Sequence, residues 1–163
     1  MSVIIWDGAS LAVDTRACGD GTQTKALKSC RISNTMVAAV VGRLDHSYEL
    51  FEWLKNGAKK EDWPAFQRGD NWSSLVVMTA SGHQVNCYSY ETTPYPIPIH
   101  GEFEAWGSGR EVAIGFMAAR KDALAAIQAV CKHVPTCGMP AEVYKPEFNY
   151  ESNQMEIVCY LEY

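Results

Sequence analysis

The chain has 163 residues, 47% hydrophobic and 20% charged, with a formal net charge of −5 at pH 7 and a pI near 5.3. That length can bury a sizeable core and fits one domain spanning 1–163. The acidic balance, without a basic stripe or polybasic tail, argues against nucleic acid or an anionic membrane as partner.

No apolar run is long enough for a membrane span, and the start lacks the charged-then-apolar pattern of an export signal, so a cytoplasmic protein is expected.

Val3–Trp6 is a short β-prone apolar run, Asp7-Gly8 a hairpin dipeptide, and Ser10–Val13 a second run ending in Asp14. Pairing of the two runs brings the Asp14 carboxylate back to the first residues. Ser2 heads the first strand. Removal of Met1 would leave it with a hydroxyl and an α-amine on one residue, a nucleophile with its own base. An α-amine of reference pKa roughly 7.7–8.0 keeps a useful neutral fraction at physiological pH. Gly19-Asp20-Gly21 reads as a turn, and Thr24–Ile32 as a strand with Ala26 and Lys28 on one face and Leu27 and Ser29 on the other.

Thr35–Val41 is a dense apolar run, read as a buried strand. Asp45 is expected to cap the helix that follows, with Tyr48, Phe51 and Leu54 on its core face and Gly57 at its end. Residues 57–71 read as an exposed connection. Ser74–Thr79 and Val85–Tyr90 are strands around the Ser81-Gly82-His83 hairpin. Glu91–His100, with Pro94, Pro96 and Pro98, is expected to be an extended loop.

Phe103–Trp106 is a strand leading into the Gly107-Ser108-Gly109 turn. Arg110–Ala119 reads as a helix, and Asp122 caps another in which Leu124, Ile127 and Val130 share a face. Strands Ala141–Lys145 and Gln154–Glu162 close the pattern. Two stacked sheets between helical layers accommodate this order.

The run Ile-Ile-Trp-Asp-Gly, then Leu-Ala-Val-Asp, then Lys28-Ser-Cys-Arg-Ile, then Met36–Gly42 before an amphipathic helix resembles the proteasome-type N-terminal nucleophile hydrolases. Within them it is most similar to HslV-like peptidases and their short bacterial and phage relatives. The Gly107-Ser108-Gly109 turn before a small-residue helix extends the resemblance to about Pro140. It implies an α+β fold, a four-layer αββα sandwich of two stacked antiparallel sheets between helical layers.

The resemblance implies Ser2 as nucleophile, in place of the family's Thr, with Asp14, Lys28 and Ser108 around it. It puts the oxyanion-hole amide at Ala39 and lines the substrate pocket with Ala17, Ala26, Val37 and Val41, suiting a non-polar side chain. It also puts Val134 where the family has a further Asp. No metal or nucleotide is implied. Relatives assemble into rings, often beside an ATP-driven unfoldase, so a homo-oligomeric ring acting on peptides or unfolded protein is the expectation.

Physical roles follow from the residue types. Lys28 beside the Ser2 oxygen would stabilise a developing alkoxide and, as a like charge, lower the α-amine pKa. Asp14 would keep Lys28 charged and oriented. The blander reading is an ordinary Asp–Lys pair between strands, and Ser108 equally fits a helix cap. Two other functions fit the same residues: a silent homologue retained for assembly or binding, and amide hydrolysis of a small metabolite by the same head group.

Six scattered cysteines (Cys18, Cys30, Cys87, Cys131, Cys137 and Cys159) contain no CxxC pair and are expected to be reduced thiols. Cys131, His133 and Cys137 match no zinc spacing. His46, His83 and His100 are expected at the surface or as caps. The Asn71-Trp72-Ser73 sequon has no role in a cytosolic chain. No internal repeat or glycine-rich phosphate loop is present.

Overall fold

A computed structural model describes residues 2–19 and 22–163; Met1 and the Asp20-Gly21 part of the expected turn lie outside the described residues. The described chain is α+β, with three antiparallel sheets and three α-helices. One sheet has the order β10-β1-β2-β11-β12, formed by β1 (Val3–Trp6), β2 (Leu11–Asp14), β10 (Glu104–Gly107), β11 (Ala141–Asn149) and β12 (Gln154–Glu162). The other large sheet has the order β5-β6-β7-β8-β9: Ser29–Ser33, Met36–Val41, Ser74–Ser81, Gln84–Tyr90 and Ile97–Pro98. A small hairpin pairs β3 (Arg16–Gly19) with β4 (Thr22–Lys25).

The apolar residues gather in three clusters. Val3, Ile5, Ala12 and Val143 pack against α2 (Arg110–Ala119) and α3 (Ala123–His133) through Met117, Ile127 and Val130. Ile4, Leu11, Val13 and Ile157 meet Val37, Ala39, Val76 and Met78 from the other sheet. Ala38, Val40, Leu75 and Val77 pack against α1 (Leu44–Lys55) through Leu50, Phe51 and Leu54. Each buried strand therefore sends alternate residues into two different clusters, as a period-2 element covered on both faces must.

Several elements differ from the sequence expectation. Thr24–Ile32 is not one strand: β4 ends at Lys25 and β5 begins at Ser29, with Ala26–Lys28 irregular between them. Ala26, Lys28 and Ser29 are all buried while Leu27 is exposed, because this link turns the chain from the hairpin into the large sheet. The helix α1 begins two residues early; its N-cap is Arg43, and Asp45 stands inside the first turn without capping.

Tyr48 lies on the solvent face at 54% exposure, and Leu50 and Trp53 take the core positions with Phe51 and Leu54. In α3, Asp122 caps as expected by accepting from the Ala125 amide at 3.0 Å, but Ala123 and Ala126 rather than Leu124 complete the buried face. The 57–71 connection is not simply exposed. It carries two 3₁₀ turns and buries Trp63 and Gln67. Ile97–Pro98, within the expected loop, adds a short edge strand to β8.

Candidate functional site

Hairpin geometry creates the centre of the site. With Ile4 opposite Val13, the end of β2 lies beside the start of β1, and the Val3 amide donates to Asp14 Oδ1 at 2.8 Å. Asp14 is fully buried and receives three more donations: two from Lys28 Nζ, each at 3.0 Å, and one from the Gly138 amide at 3.4 Å. A carboxylate offers about four acceptor positions, so this one is fully used. The Lys28 ammonium also donates to the Arg16 carbonyl. Its position is set by backbone bonds on either side: the Ala26 amide donates to Thr15 O at 2.8 Å, and the Val40 amide to Lys28 O at 2.9 Å.

Ser2 is 3% exposed and Lys28 is 5% exposed. Both line a cleft of about 750 Å³ whose apolar wall includes Ala17, Ala26 and Val40, with Gly42 beside them. Arg43 and Asp45 also face this cleft, joined through two hydrogen bonds of 3.0 and 2.7 Å. The Arg43 guanidinium holds the Asp45 carboxyl down at about 2 through that hydrogen bond. The cleft thus combines a hydroxyl, an ammonium braced by a buried carboxylate, and apolar surface for a side chain.

The Ser2 carbonyl is held by the turn after β10. It accepts from the Ser108 amide at 2.9 Å and from Ser108 Oγ at 3.4 Å. Gly107, at φ 97°, makes the approach possible, since a Cβ there would collide with the Ser2 carbonyl oxygen. Ser108 does not cap α2: Gly109 occupies that position with no side-chain cap bond. Ser108 Oγ instead lies 3.0 Å from Thr136 Oγ1 and 3.8 Å from Cys137 Sγ.

The structure thus brings Ser2, Asp14, Lys28, Ser108, Ala17 and Ala26 to one region, but not all the residues named with them. Val37, Ala39 and Val41 share the face of β6 that points at the other large sheet. Val37 and Ala39 are fully buried there and Val41 packs against the same cluster. The Val40 amide points to Lys28, so the neighbouring Ala39 amide points the opposite way, toward β7, where Ala39 pairs with Val76. It is turned away from the cleft. Val40 and Gly42, one position along in each case, line the cleft instead.

Val134 is the C-cap of α3 and packs against the helical cluster. The segment after it reaches the site through Thr136, Cys137 and the Gly138 amide. Burial pushes the Cys131 thiol to about 12 and raises that of Cys137, with the Asp14 charge adding to both, so neither is a ready thiolate. Among the described residues no group of three His, Cys, Asp or Glu side chains gathers to hold a metal ion.

A buried polar brace behind Gly42 escaped the sequence reading. His46, expected at the surface, is buried; its Nδ1 lies 3.0 Å from Ser73 Oγ and its ring stacks on Phe66 at 3.7 Å. Gln67 donates to the carbonyls of Ser73 and Glu91 and accepts from the Ser73 amide at 2.7 Å. Gly42, at φ 143°, abuts Ser73, and a Cβ would strike that side chain. A glycine closing a buried strand was the one sequence signal for this position. No family model matches the chain, and no curated protein matches it either.

Proposed function

We propose that this protein is an N-terminal nucleophile peptidase of the proteasome type, similar to the HslV-like enzymes, with Ser2 as nucleophile after loss of Met1. The observation that carries the reading is the Lys28–Asp14 pair at 3.0 Å, buried and opening onto the same cleft as Ser2. Three clusters, helices against sheet, sheet against sheet and sheet against helix, support the finer fold, a four-layer αββα sandwich.

In this mechanism the Ser2 α-amine takes the hydroxyl proton as Oγ attacks the substrate carbonyl, and the Lys28 ammonium stabilises the developing negative charge. Collapse of the tetrahedral intermediate passes the proton to the leaving amine and leaves an ester on Ser2. Water, deprotonated by the same amine, then hydrolyses the ester. The Gly42 amide, at the end of β6, is the oxyanion donor in this reading, replacing Ala39. Val40, Ala17 and Ala26 receive a non-polar side chain.

A homo-oligomeric cytoplasmic ring confining such sites, fed unfolded chains by an ATP-dependent unfoldase, completes the proposal. Among the described residues no helix is long and apolar enough to cross a membrane. The competing reading, a silent homologue serving assembly or binding, is favoured by one observation: the segment following α3 brings no carboxylate to the site, because Val134 packs into the core. Hydrolysis of a panel of fluorogenic peptides with non-polar residues before the scissile bond, compared between wild type and Ser2→Ala, separates the two. Turnover lost in Ser2→Ala supports the peptidase. Absence of turnover in wild type favours the silent homologue.

A further inference from the structure

Ser108 Oγ has three polar neighbours and one proton: the Ser2 carbonyl at 3.4 Å, Thr136 Oγ1 at 3.0 Å and Cys137 Sγ at 3.8 Å. The carbonyl can only accept. When Ser108 donates to it, the Ser108 oxygen must accept from its other neighbours, which fixes the direction of the Thr136 contact. Thr136 then donates to Ser108, and Ser108 donates to Ser2. The Ser108 amide, at 2.9 Å from the same carbonyl, completes a two-donor clamp on residue 2.

We infer that Thr136 is a positioning residue for the N-terminal nucleophile, acting through Ser108 rather than by touching substrate. The inference rests on the peptidase reading and assigns it a residue that lies outside the cleft wall. Without the Thr136 hydroxyl, Ser108 loses its closest acceptor–donor partner and is free to rotate away from Ser2 about its Cα–Cβ bond. The Cys137 thiol, at 3.8 Å and a weak donor, is a poor substitute. Residue 2 would then be held by the Ser108 amide alone, and its amine and hydroxyl would lose their shared orientation.

The test compares Thr136→Val, which keeps shape and removes the hydroxyl, with Thr136→Ser, which keeps the hydroxyl. The first readout is the rate at which a peptide epoxyketone modifies Ser2, measured across pH 6–9 by intact mass. The second is hydrogen exchange at the Ser108 amide, which needs no activity. Thr136→Val is expected to slow modification about three- to tenfold, the worth of one such hydrogen bond, to shift its pH midpoint and to speed Ser108 exchange. Thr136→Ser is expected to match wild type. Wild-type modification with an unchanged rate and pH midpoint in Thr136→Val overturns the Thr136 assignment alone. A wild type that is never modified overturns the peptidase reading and this inference with it.

Discussion

Lys28 Nζ lies 3.0 Å from both carboxylate oxygens of Asp14, and the two side chains are buried together. A buried ion pair is weak evidence for stability in itself, but breaking one side of it is costly. Asp14→Ala removes the acceptor of the Val3 and Gly138 amides as well as the charge facing Lys28. Chemical denaturation should register a loss of about 3–5 kcal/mol. A change within experimental error would mean that the carboxylate is not the hub described.

Gly42 offers a second check, with the core residue Ala39 as its control. Gly42→Ala introduces a Cβ into Ser73 at a φ that disfavours any side chain, so stability and peptidase turnover should both fall. Ala39→Gly leaves the backbone amide in place and removes only a core methyl. Its effect should be confined to a denaturation shift of about 1 kcal/mol, with turnover per folded molecule retained. Unchanged turnover and stability in Gly42→Ala, or turnover per folded molecule lost in Ala39→Gly, would contradict this placement of the two residues.

How far the sequence spoke depended on how each signal decays. The hairpin of β1 and β2, the Asp14 position, the Asp122 cap and the buried run of β6 were legible because local chemistry and period-2 alternation decide them. The identity of the cleft wall was not. Val37, Ala39 and Val41 were expected on the cleft from a resemblance alone, whereas alternation along β6 turns their side chains toward the other large sheet. His46 and Gln67 were missed because their burial depends on partners far along the chain, Ser73 and Glu91. Tyr48 was misread as core because an aromatic at helical spacing fits either face. The break at Ala26–Lys28 carries no glycine or proline to announce it.

The Gln67 brace has a measurable stability. Gln67→Leu strands the Ser73 amide and the Ser73 and Glu91 carbonyls without their side-chain partner. Urea denaturation should show a loss of about 1–3 kcal/mol, the cost of a buried unsatisfied group. A neutral substitution would show that water or backbone movement replaces the amide.

Cys87 gives a pH signature. Burial pushes its thiol to about 12 in the folded protein, whereas an unfolded cysteine has an ordinary pKa near ~8.5. Between these values the unfolded state sheds a proton that the folded state keeps. Stability should therefore fall as pH rises above ~8.5. Cys87→Ala should flatten that part of the pH profile when thermal unfolding is followed from pH 7 to 10. An identical slope in the variant would contradict the assignment.

The exposed Arg43–Asp45 pair behaves in the opposite sense. The Asp45 pKa is lowered to about 2, so the pair persists above that value and is lost as pH falls through it. Carboxyl-carbon NMR should find the Asp45 midpoint near about 2 in wild type, and near the ordinary carboxylate value in Arg43→Ala. Equal midpoints would show that the two side chains are apart in solution.

The most direct test of the central proposal is the mass of the purified protein before and after treatment with a peptide epoxyketone, an electrophile that needs a hydroxyl and an α-amine on one residue. The expected result is a chain lacking Met1 that gains a single adduct, mapped to Ser2 and absent in both Ser2→Ala and Lys28→Ala. A retained Met1, or an adduct that forms equally well in Ser2→Ala, would contradict it.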